Sequence, residues 1–311
     1  MLDITLLGTG GMMPLPDRYL TSLMIKYNGY GILFDCGEGT QMALHKAGLS
    51  PKQVDVIFLT HLHADHTAGL PGLLLKLVNA GRTERVHIIG PEGTAQLVEA
   101  VKRIALGITF ELEVTELYKS THRFKLSALC AGRLLEGLMI TAFETEHSTI
   151  CYGYTAELAR KGKFSAERAE ALGIEKKYWR QLQSGENVTV DGVGFTPDMV
   201  MGAARKGLKL TYCTDTIPTA ALREQARGSD LLILEGMYGE HEKQEDADSK
   251  KHLMMQQAAE IAAETCAGEL WLTHFSPSEK TPEQYAEEIC GIFPNTVIRQ
   301  DGVVKTLRFE D

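Results

Sequence analysis

Apolar residues along the chain form short runs separated by turn-forming residues, in two successive groups. Runs rich in β-branched residues predict strands, and apolar positions at helical spacing predict helices. In the first group the predicted strands are 2–8, 21–27, 31–35, 54–60, 85–90, 109–117 and 135–146, and the predicted helices are 38–47, 70–79 and 93–105. In the second group the strands are 208–213, 231–235, 269–273 and 303–308, and the helices are 217–227, 251–266 and 281–292.

The order of these elements predicts the fold class α/β. It indicates two sheets covered by helices, either as a four-layer α/β/β/α sandwich or as a two-domain α/β protein. Two segments echo each other, because Phe58-Leu59-Thr60-His61 and Trp271-Leu272-Thr273-His274 are both apolar strands that end in Thr-His. This short repeat favours the sandwich.

Composition excludes a protein that is basic all over. The 311 residues include 32 basic and 41 acidic side chains, a formal charge of −9, so a nucleic-acid substrate would need a local basic patch. The start of the chain lacks the pattern of a signal peptide, and no apolar run is long enough to cross a bilayer. We therefore expect a cytoplasmic protein without a membrane partner.

The cysteines indicate a reduced protein. They are scattered without a Cys-x-x-Cys pair, which predicts buried thiols rather than disulfides or a structural zinc site. The six are Cys36, Cys130, Cys151, Cys213, Cys266 and Cys290.

Four potential metal ligands lie within six residues after the strand predicted at 54–60. Two histidines spaced i, i+2 on an extended backbone point the same way, and imidazole and carboxylate groups hold catalytic transition metals. Crowding four titratable groups together without a metal costs free energy. The cluster, His61, His63, Asp65 and His66, therefore predicts a metal site.

Further candidate ligands follow three other predicted strands. His147 follows the strand ending at 146, Asp215 the strand ending at 213, and His274 the strand ending at 273. Each alone is equally well explained as a turn-stabilising aspartate or a hydrogen-bonded core histidine. Together with the first cluster they make five histidines and two aspartates, enough for two metals with one carboxylate between them.

Four segments carry a resemblance to a known family. The first three are Gly8-Thr9-Gly10-Gly11, Leu33-Phe34-Asp35-Cys36-Gly37-Glu38-Gly39-Thr40-Gln41, and the His61 cluster continuing into Gly69-Leu70-Pro71-Gly72-Leu73-Leu74. With Leu272-Thr273-His274-Phe275-Ser276, the chain resembles the metallo-β-lactamase superfamily and, within it, the ribonuclease Z family, endonucleases that trim the 3′ trailer from precursor tRNA. The resemblance runs nearly end to end.

The resemblance implies a role for each candidate ligand. His61, His63 and His147 would hold one zinc, Asp65, His66 and His274 the other, and Asp215 would bridge them, with Asp35 orienting the site without binding metal. Manganese or iron could replace zinc, because nitrogen and carboxylate ligands accept several ions. The two ions would activate a hydroxide that attacks the phosphodiester and leaves a 3′-hydroxyl on the tRNA.

Proton transfer would need further groups. The resemblance implies that Asp65 orients the nucleophile and that His252, steered by Glu235, protonates the leaving ribose oxygen. From the residues alone, both His252 and Glu235 look like surface positions.

Two segments depart from the family pattern where it reads tRNA. The loop usually written Pro-x-Lys-x-Arg-Asn is Pro14-Leu15-Pro16-Asp17-Arg18-Tyr19, which leaves Arg18 as the predicted substrate contact. The His-Glu-Ala-Thr segment is Leu234-Glu235-Gly236-Met237 and keeps only its glutamate.

Residues 158–190 resemble the family's tRNA-gripping arm. We expect one metallo-β-lactamase-like domain, residues 1–311, with this flexible arm inserted. Seven basic and three acidic residues lie between 160 and 180, so Lys161, Lys163, Lys176 and Lys177 are predicted phosphate contacts, and Tyr178 and Trp179 could stack on bases. A helix with a solvent-exposed charged face would explain the same residues without any contact to RNA. By analogy with the family, a homodimer is implied.

Two other functions stay open. The same ligands serve hydrolases of small molecules such as phosphodiesterases, lactonases and thioesterases, which have no use for a basic arm. A nucleic-acid-binding relative without catalysis would lack ligands, and none is missing here.

Overall fold

The described chain, residues 1–118, 120–129 and 137–310 of a computed structural model, forms sixteen strands. They are β1 (Leu2–Gly8), β2 (Ser22–Tyr27), β3 (Tyr30–Phe34), β4 (Val54–Phe58), β5 (Val86–Pro91), β6 (Leu112–Leu117), β7 (His122–Lys125), β8 (Leu138–Glu146), β9 (Ile150–Arg160), β10 (Val188–Val190), β11 (Val193–Phe195), β12 (Arg205–Cys213), β13 (Leu231–Glu235), β14 (Leu270–Thr273), β15 (Thr296–Ile298) and β16 (Val303–Leu307). Cys130 and the first two residues of the strand predicted at 135–146 lie outside the described residues.

Twelve α-helices occur in the same part of the chain. They are α1 (Thr40–Lys46), α2 (Ala64–Thr67), α3 (Leu70–Asn79), α4 (Thr94–Lys102), α5 (Leu126–Leu129), α6 (Ala166–Ala171), α7 (Lys176–Ser184), α8 (Pro197–Val200), α9 (Ala220–Ala226), α10 (Gln244–Lys250), α11 (Met255–Glu264) and α12 (Ala286–Ile292). Short 3₁₀ turns occupy Pro51–Gln53, His241–Lys243 and Pro282–Tyr285. None of these helices has the length and hydropathy needed to span a membrane.

Two seven-stranded sheets form the larger of two compact units, which comprises Met1–Glu157 and Lys209–Arg308. The first sheet has the order β16-β1-β2-β3-β4-β5-β6, antiparallel from β16 to β3 and parallel from β3 to β6. The second has the order β15-β14-β13-β12-β9-β8-β7, with β12 to β15 parallel. Strands such as β3 and β14 are buried along their whole length, as expected where both faces of a sheet are covered.

Aromatic side chains join the two sheets face to face. The ring of Phe34 on β3 lies 5.4 Å from Tyr154 on β9 and 5.8 Å from Tyr212 on β12, measured between ring centroids. On the outer faces, α1, α3 and α4 pack on the first sheet, and α9, α11 and α12 pack on the second. The layers are therefore helix, sheet, sheet and helix, and the predicted α/β/β/α sandwich is confirmed.

The second compact unit comprises Leu158–Leu208 together with Phe309 and Glu310. It has its own small apolar core, built from helices α6, α7 and α8 and the hairpin β10–β11. The core residues are Ala169, Ile174, Leu182, Val188 and Val200. This unit contains the arm predicted at 158–190 but extends further, to Leu208, because Val200 on α8 completes its core.

Some elements differ from the sequence-based expectation. The eleven-residue strand β9 was not predicted, because most of its residues are buried and it lacks the alternation of a half-exposed strand. The helix predicted at 251–266 begins only at Met255, since Lys251 adopts a left-handed conformation with φ of 59°. That turn positions His252, described below.

Candidate metal centre

Most candidate ligands stand where strands end, at one edge of the sandwich. His61 and His63 follow β4, and the short helix α2 turns Asp65 and His66 back toward the same point. The remaining candidates follow β8, β12 and β14, and they are His147, Asp215 and His274. Carboxyl ends of parallel strands meet at one edge of a sheet, which explains how distant sequence positions form one site.

The first group of ligands is His61, His63, His147 and Asp215, whose ligand atoms all lie within 4.8 Å of one another. His61 Nε2 and His63 Nδ1 are 2.9 Å apart. Asp215 Oδ2 is 3.7 Å from Nε2 of both His61 and His147. Four-coordinate zinc with Zn–N bonds of about 2.0–2.1 Å spaces its ligand atoms by roughly 3.3 Å, so these distances fit one divalent ion.

The second group is Asp65, His66 and His274, which meets the same distance criterion. His66 Nε2 and His274 Nε2 are 3.1 Å apart, and Asp65 Oδ2 is 3.3 Å from His274 Nε2. The backbone N–H of Met12 donates a 2.7 Å hydrogen bond to Asp65 Oδ2 and fixes that carboxylate. The donor set again suits a transition-metal ion.

Asp215 lies between the two groups. Its Oδ1 is 3.2 Å from Nε2 of both His66 and His274, whereas its Oδ2 faces the first group. Oδ1 is buried and accepts no hydrogen bond of regular geometry, which is costly unless a ligand completes the site. The carboxylate therefore has the geometry of a bridge between two divalent ions, and the residues fit the metal that the fold implies.

Asp35 orients His66 from behind. Its Oδ2 lies 2.9 Å from His66 Nδ1 and accepts a 2.9 Å hydrogen bond from the hydroxyl of Tyr212. The backbone N–H of Thr60 donates to Asp35 Oδ1 at 2.8 Å, and the Thr60 hydroxyl lies 3.0 Å from His61 Nδ1. Sequence reasoning missed Thr60 and Tyr212, although the repeated Thr-His pair was a signal for Thr60.

His147 is oriented by backbone. Its Nδ1 lies 3.2 Å from the carbonyl oxygen of Lys251, which leaves Nε2 directed at Asp215. The carbonyl is available there because Lys251 adopts the left-handed turn before α11. A hydrogen bond at one ring nitrogen sets which nitrogen binds a metal.

Burial and charge act against each other in this centre. Burial alone would raise the pKa of Asp215, but the surrounding histidines, His274 and His66 foremost, hold it well below its ordinary value. Burial alone would lower the pKa of His66, but Asp215 and Asp35 raise it well above its ordinary value. The buried carboxylates thus require positive charge nearby, which metal ions supply when bound.

His252 and Glu235 form a buried pair at the same edge. His252 Nδ1 lies 2.8 Å from Glu235 Oε2, and the two residues are 7% and 0% exposed, so neither is the surface residue that composition alone suggested. The other oxygen of Glu235 accepts a 2.7 Å hydrogen bond from the backbone N–H of Thr216. Burial would lower the pKa of His252, but Glu235 raises it above its ordinary value.

A cavity of about 400 Å³ opens over the centre. Asp65, His147 and His252 line it, together with Ser249 and Lys250. A substrate in this cavity would contact the ligands and the His252 ring at once.

Arg18 does not reach this cavity. The residue is 3% exposed, and its guanidinium donates hydrogen bonds to the carbonyl oxygens of Glu279 at 2.9 Å and Lys280 at 3.2 Å. It also lies over the ring of Phe275. These contacts join two loops, and they give no support to the predicted substrate contact.

The four lysines predicted to contact phosphate lie at two different places in the second unit. Lys161 and Lys163 line a hollow of about 660 Å³ in the second unit, with Arg160 and Arg205. Lys176 and Lys177 lie on α7, where Lys177 pairs with Glu175 at 2.9 Å.

The aromatic residues of α7 serve the core of this unit. Trp179 donates its indole N–H to the carbonyl of Ile174 at 2.8 Å and packs against Phe164. Tyr178 also packs against the core and is partly buried. Base stacking by Trp179 is therefore not supported.

Known proteins share this architecture. Residues 2–177 match the family model described as anti-Pycsar protein Apyc1, and residues 153–275 match the beta-lactamase superfamily domain. The chain is 47% identical to ribonuclease Z of Agathobacter rectalis over 311 residues, covering 100% of both chains. It is 45% identical to ribonuclease Z of Clostridium acetobutylicum over 317 residues, again covering 100% of both.

Among solved structures, human tRNase Z, short form, superposes with a TM-score of 0.67 at 25% identity, covering 99% of this chain and 100% of that one. The sandwich and its converging ligands define a metal-dependent hydrolase of the metallo-β-lactamase superfamily. Full-length similarity to the curated relatives narrows the assignment. The chain belongs to the ribonuclease Z family.

Proposed function

We propose that the protein is the endoribonuclease that removes the 3′ trailer from precursor tRNA and leaves a 3′-hydroxyl. The observation that carries this proposal is the complete set of seven converging ligands beside the buried pair of His252 and Glu235. This set occurs in a chain that is similar over its full length to ribonuclease Z relatives. A binding protein without catalysis would have no need of it.

Two divalent ions are proposed, with zinc favoured and manganese or iron as alternatives. His61, His63 and His147 would hold one, Asp65, His66 and His274 the other, and Asp215 would bridge them. When bound, such ions lower the pKa of a water molecule and neutralise phosphate charge.

The side chains around the ions would control position and proton transfer. Asp65, fixed by the Met12 N–H, would orient the attacking hydroxide, which remains after the water has released a proton to solvent and whose oxygen forms a bond to phosphorus. His252 would donate its proton to the ribose O3′ as the P–O3′ bond breaks, so the phosphate leaves with the trailer. Glu235 raises the pKa of His252 and so keeps that proton available near neutral pH.

Contacts to the body of the tRNA would come from the second unit. Arg160, Lys161, Lys163 and Arg205 surround its hollow and form the local basic patch that the overall charge of −9 demands. We also propose a homodimer and a cytoplasmic location, both of which rest on the family and on the tRNA substrate.

A small phosphodiester is the second candidate substrate. It is favoured by the burial of Arg18, because the loop Pro14–Tyr19 then offers no cation to RNA. The two candidates differ in their leaving groups, and this difference allows a test.

The test compares two variants on two substrates. Asp65→Ala should abolish cleavage of both precursor tRNA and bis(p-nitrophenyl) phosphate. His252→Ala should reduce cleavage of precursor tRNA by about 10²–10⁴-fold, the usual contribution of a general acid, but should largely spare the small substrate, since nitrophenolate leaves without a proton. Equal losses on both substrates for His252→Ala would contradict its role as the acid.

A further inference from the structure

We propose that Lys250 binds a second phosphate of the RNA, the one on the tRNA side of the bond that is cleaved. This inference rests on the proposed function, since it requires a substrate with consecutive phosphates. Lys250 is the last residue of α10, and its exposed side chain lines the cavity over the metal centre. Among the described residues that line this cavity, it is the one lysine or arginine.

Lys250 keeps its charge available for a ligand. Its Nζ lies 3.4 Å from the hydroxyl of Tyr238 and 5.9 Å from the centre of that ring. No carboxylate within the described ranges forms an ion pair with it. Tyr238 is 4% exposed, so a rigid neutral group supports the ammonium without neutralising it.

Two neighbouring lysines show the contrast. Lys251 pairs with Glu146 at 3.1 Å. Lys243 lies over the same Tyr238 ring at 5.2 Å but is held between Glu240 at 3.4 Å and Glu279 at 3.8 Å. Neither lines the cavity. Lys250 therefore differs from both in position and in lacking a counter-charge.

The location beside His252 indicates which phosphate is bound. His252 lies two residues further along the chain and would protonate the oxygen that stays with the tRNA. The ions would take the phosphate being cleaved, so the next phosphate on the tRNA side needs another cation. Arg18 cannot serve, because its guanidinium is buried against the carbonyl oxygens of Glu279 and Lys280.

The experiment uses a trailer-free acceptor-stem hairpin, which contains the tRNA-side phosphate but no bond to cleave. Its inhibition constant is measured against hydrolysis of bis(p-nitrophenyl) phosphate by the metal-loaded protein. Lys250→Met should raise this constant about tenfold, as expected for one charge-assisted contact. It should reduce the slope of log affinity against log salt by roughly 0.7–0.9, and leave hydrolysis of the small substrate within about twofold because that substrate has one phosphate.

Lys250→Arg should restore inhibition. Lys243→Met is the matched control, because Lys243 lies over the same Tyr238 ring but is paired with two glutamates and does not line the cavity, so the inhibition constant and small-substrate hydrolysis should not change. An unchanged inhibition constant for Lys250→Met, or failure of the hairpin to inhibit the wild-type protein, would overturn the inference. An equal loss of small-substrate hydrolysis would also overturn it. Inhibition does not require a cut, so a protein that binds the hairpin through Lys250 but cleaves no precursor would refute the proposed function alone.

Discussion

Three residues of the metal centre adopt a left-handed backbone conformation within two residues of the end of a strand. Asp35, Asp215 and His274 have φ values of 57°, 52° and 55°. Asp and His tolerate this region better than β-branched residues do. At each strand end the turn redirects the chain, and strained conformations of this kind concentrate at functional sites.

Gly11 provides a test of how tightly this centre is packed. A Cβ atom added to Gly11 would lie 2.7 Å from Cε1 of His274, whose ring is fully buried. Gly11→Ala should therefore displace His274 and weaken binding of its metal by about 10–100-fold. Metal content after gel filtration measures the effect, with an expected loss of one of the two proposed ions.

Gly291→Ala is the matched control, since a Cβ at Gly291 would meet no atom within 4 Å and the residue lies in α12. It should keep full metal content and slightly raise stability. Full metal content in Gly11→Ala would show that His274 is not fixed as described.

At the residue scale, the sequence indicated the candidate ligands but not the residues that orient them. Imidazole and carboxylate groups after strands are recognisable in the sequence. Thr60 and Tyr212 are ordinary strand residues by composition, and only the packing of the two sheets brings the Tyr212 hydroxyl to Asp35. The role proposed for Lys250 could not be predicted from the sequence either, because it depends on which neighbouring lysines already form ion pairs.

The loop from Gly8 to Tyr19 shows how elements hold the centre in place. Asp301 accepts hydrogen bonds from the backbone N–H groups of Thr9 and Tyr19 at 2.8 Å and 2.6 Å. Arg18 ties the same loop to the carbonyl oxygens of Glu279 and Lys280. The loop in turn places the Met12 N–H on Asp65.

A substitution at Arg18 separates structural support from substrate contact. Arg18→Met should lower the free energy of unfolding by about 2–3 kcal/mol, because two carbonyl groups lose a charged donor. The rates of cleavage of precursor tRNA and of a small phosphodiester should fall by the same factor, in proportion to the folded fraction of the protein. Selective loss of tRNA cleavage at unchanged stability would instead restore the predicted contact with substrate.

The second unit gives a prediction about charge. Lys163→Ala should weaken tRNA binding by roughly fivefold and lower the salt slope by about 0.9, because one phosphate contact is lost. Hydrolysis of a small phosphodiester should not change. Lys177→Ala is the control, since Lys177 is already paired with Glu175. Fluorescence anisotropy with labelled tRNA measures the affinity of both variants. Equal losses of affinity in Lys163→Ala and Lys177→Ala would mean that the hollow has no special role in tRNA binding.

Element prediction succeeded where apolar patterns were strong and ended at clear turns. Strands β1, β4, β13 and β14 and helix α3 lie close to the predicted positions. β9 was missed because a central strand buried on both faces shows no alternation. The start of α11 was misplaced because Lys251 has no local sequence signal for its left-handed turn.

At the scale of the whole molecule, charge and chemistry are divided between the two compact units. The larger unit holds the buried acidic and imidazole ligands, and the smaller one carries an exposed cluster of basic residues on its own core. A chain with a formal charge of −9 can thus act on a polyanion through a local patch. The sequence shows an excess of basic residues between 160 and 180, whereas the extent of the second unit to Leu208 depends on the packing of α8 and could not be predicted.

The most direct test of the central claim is the mapping of the cut on a 3′-extended precursor tRNA, with metal-loaded protein at two salt concentrations beside bis(p-nitrophenyl) phosphate. We predict one cut just after the discriminator base, a 3′-hydroxyl on the tRNA, and a rate that falls with salt much more steeply than that of the small substrate. Hydrolysis of the small phosphodiester without any cut in the precursor would contradict the account and identify a small-molecule phosphodiesterase.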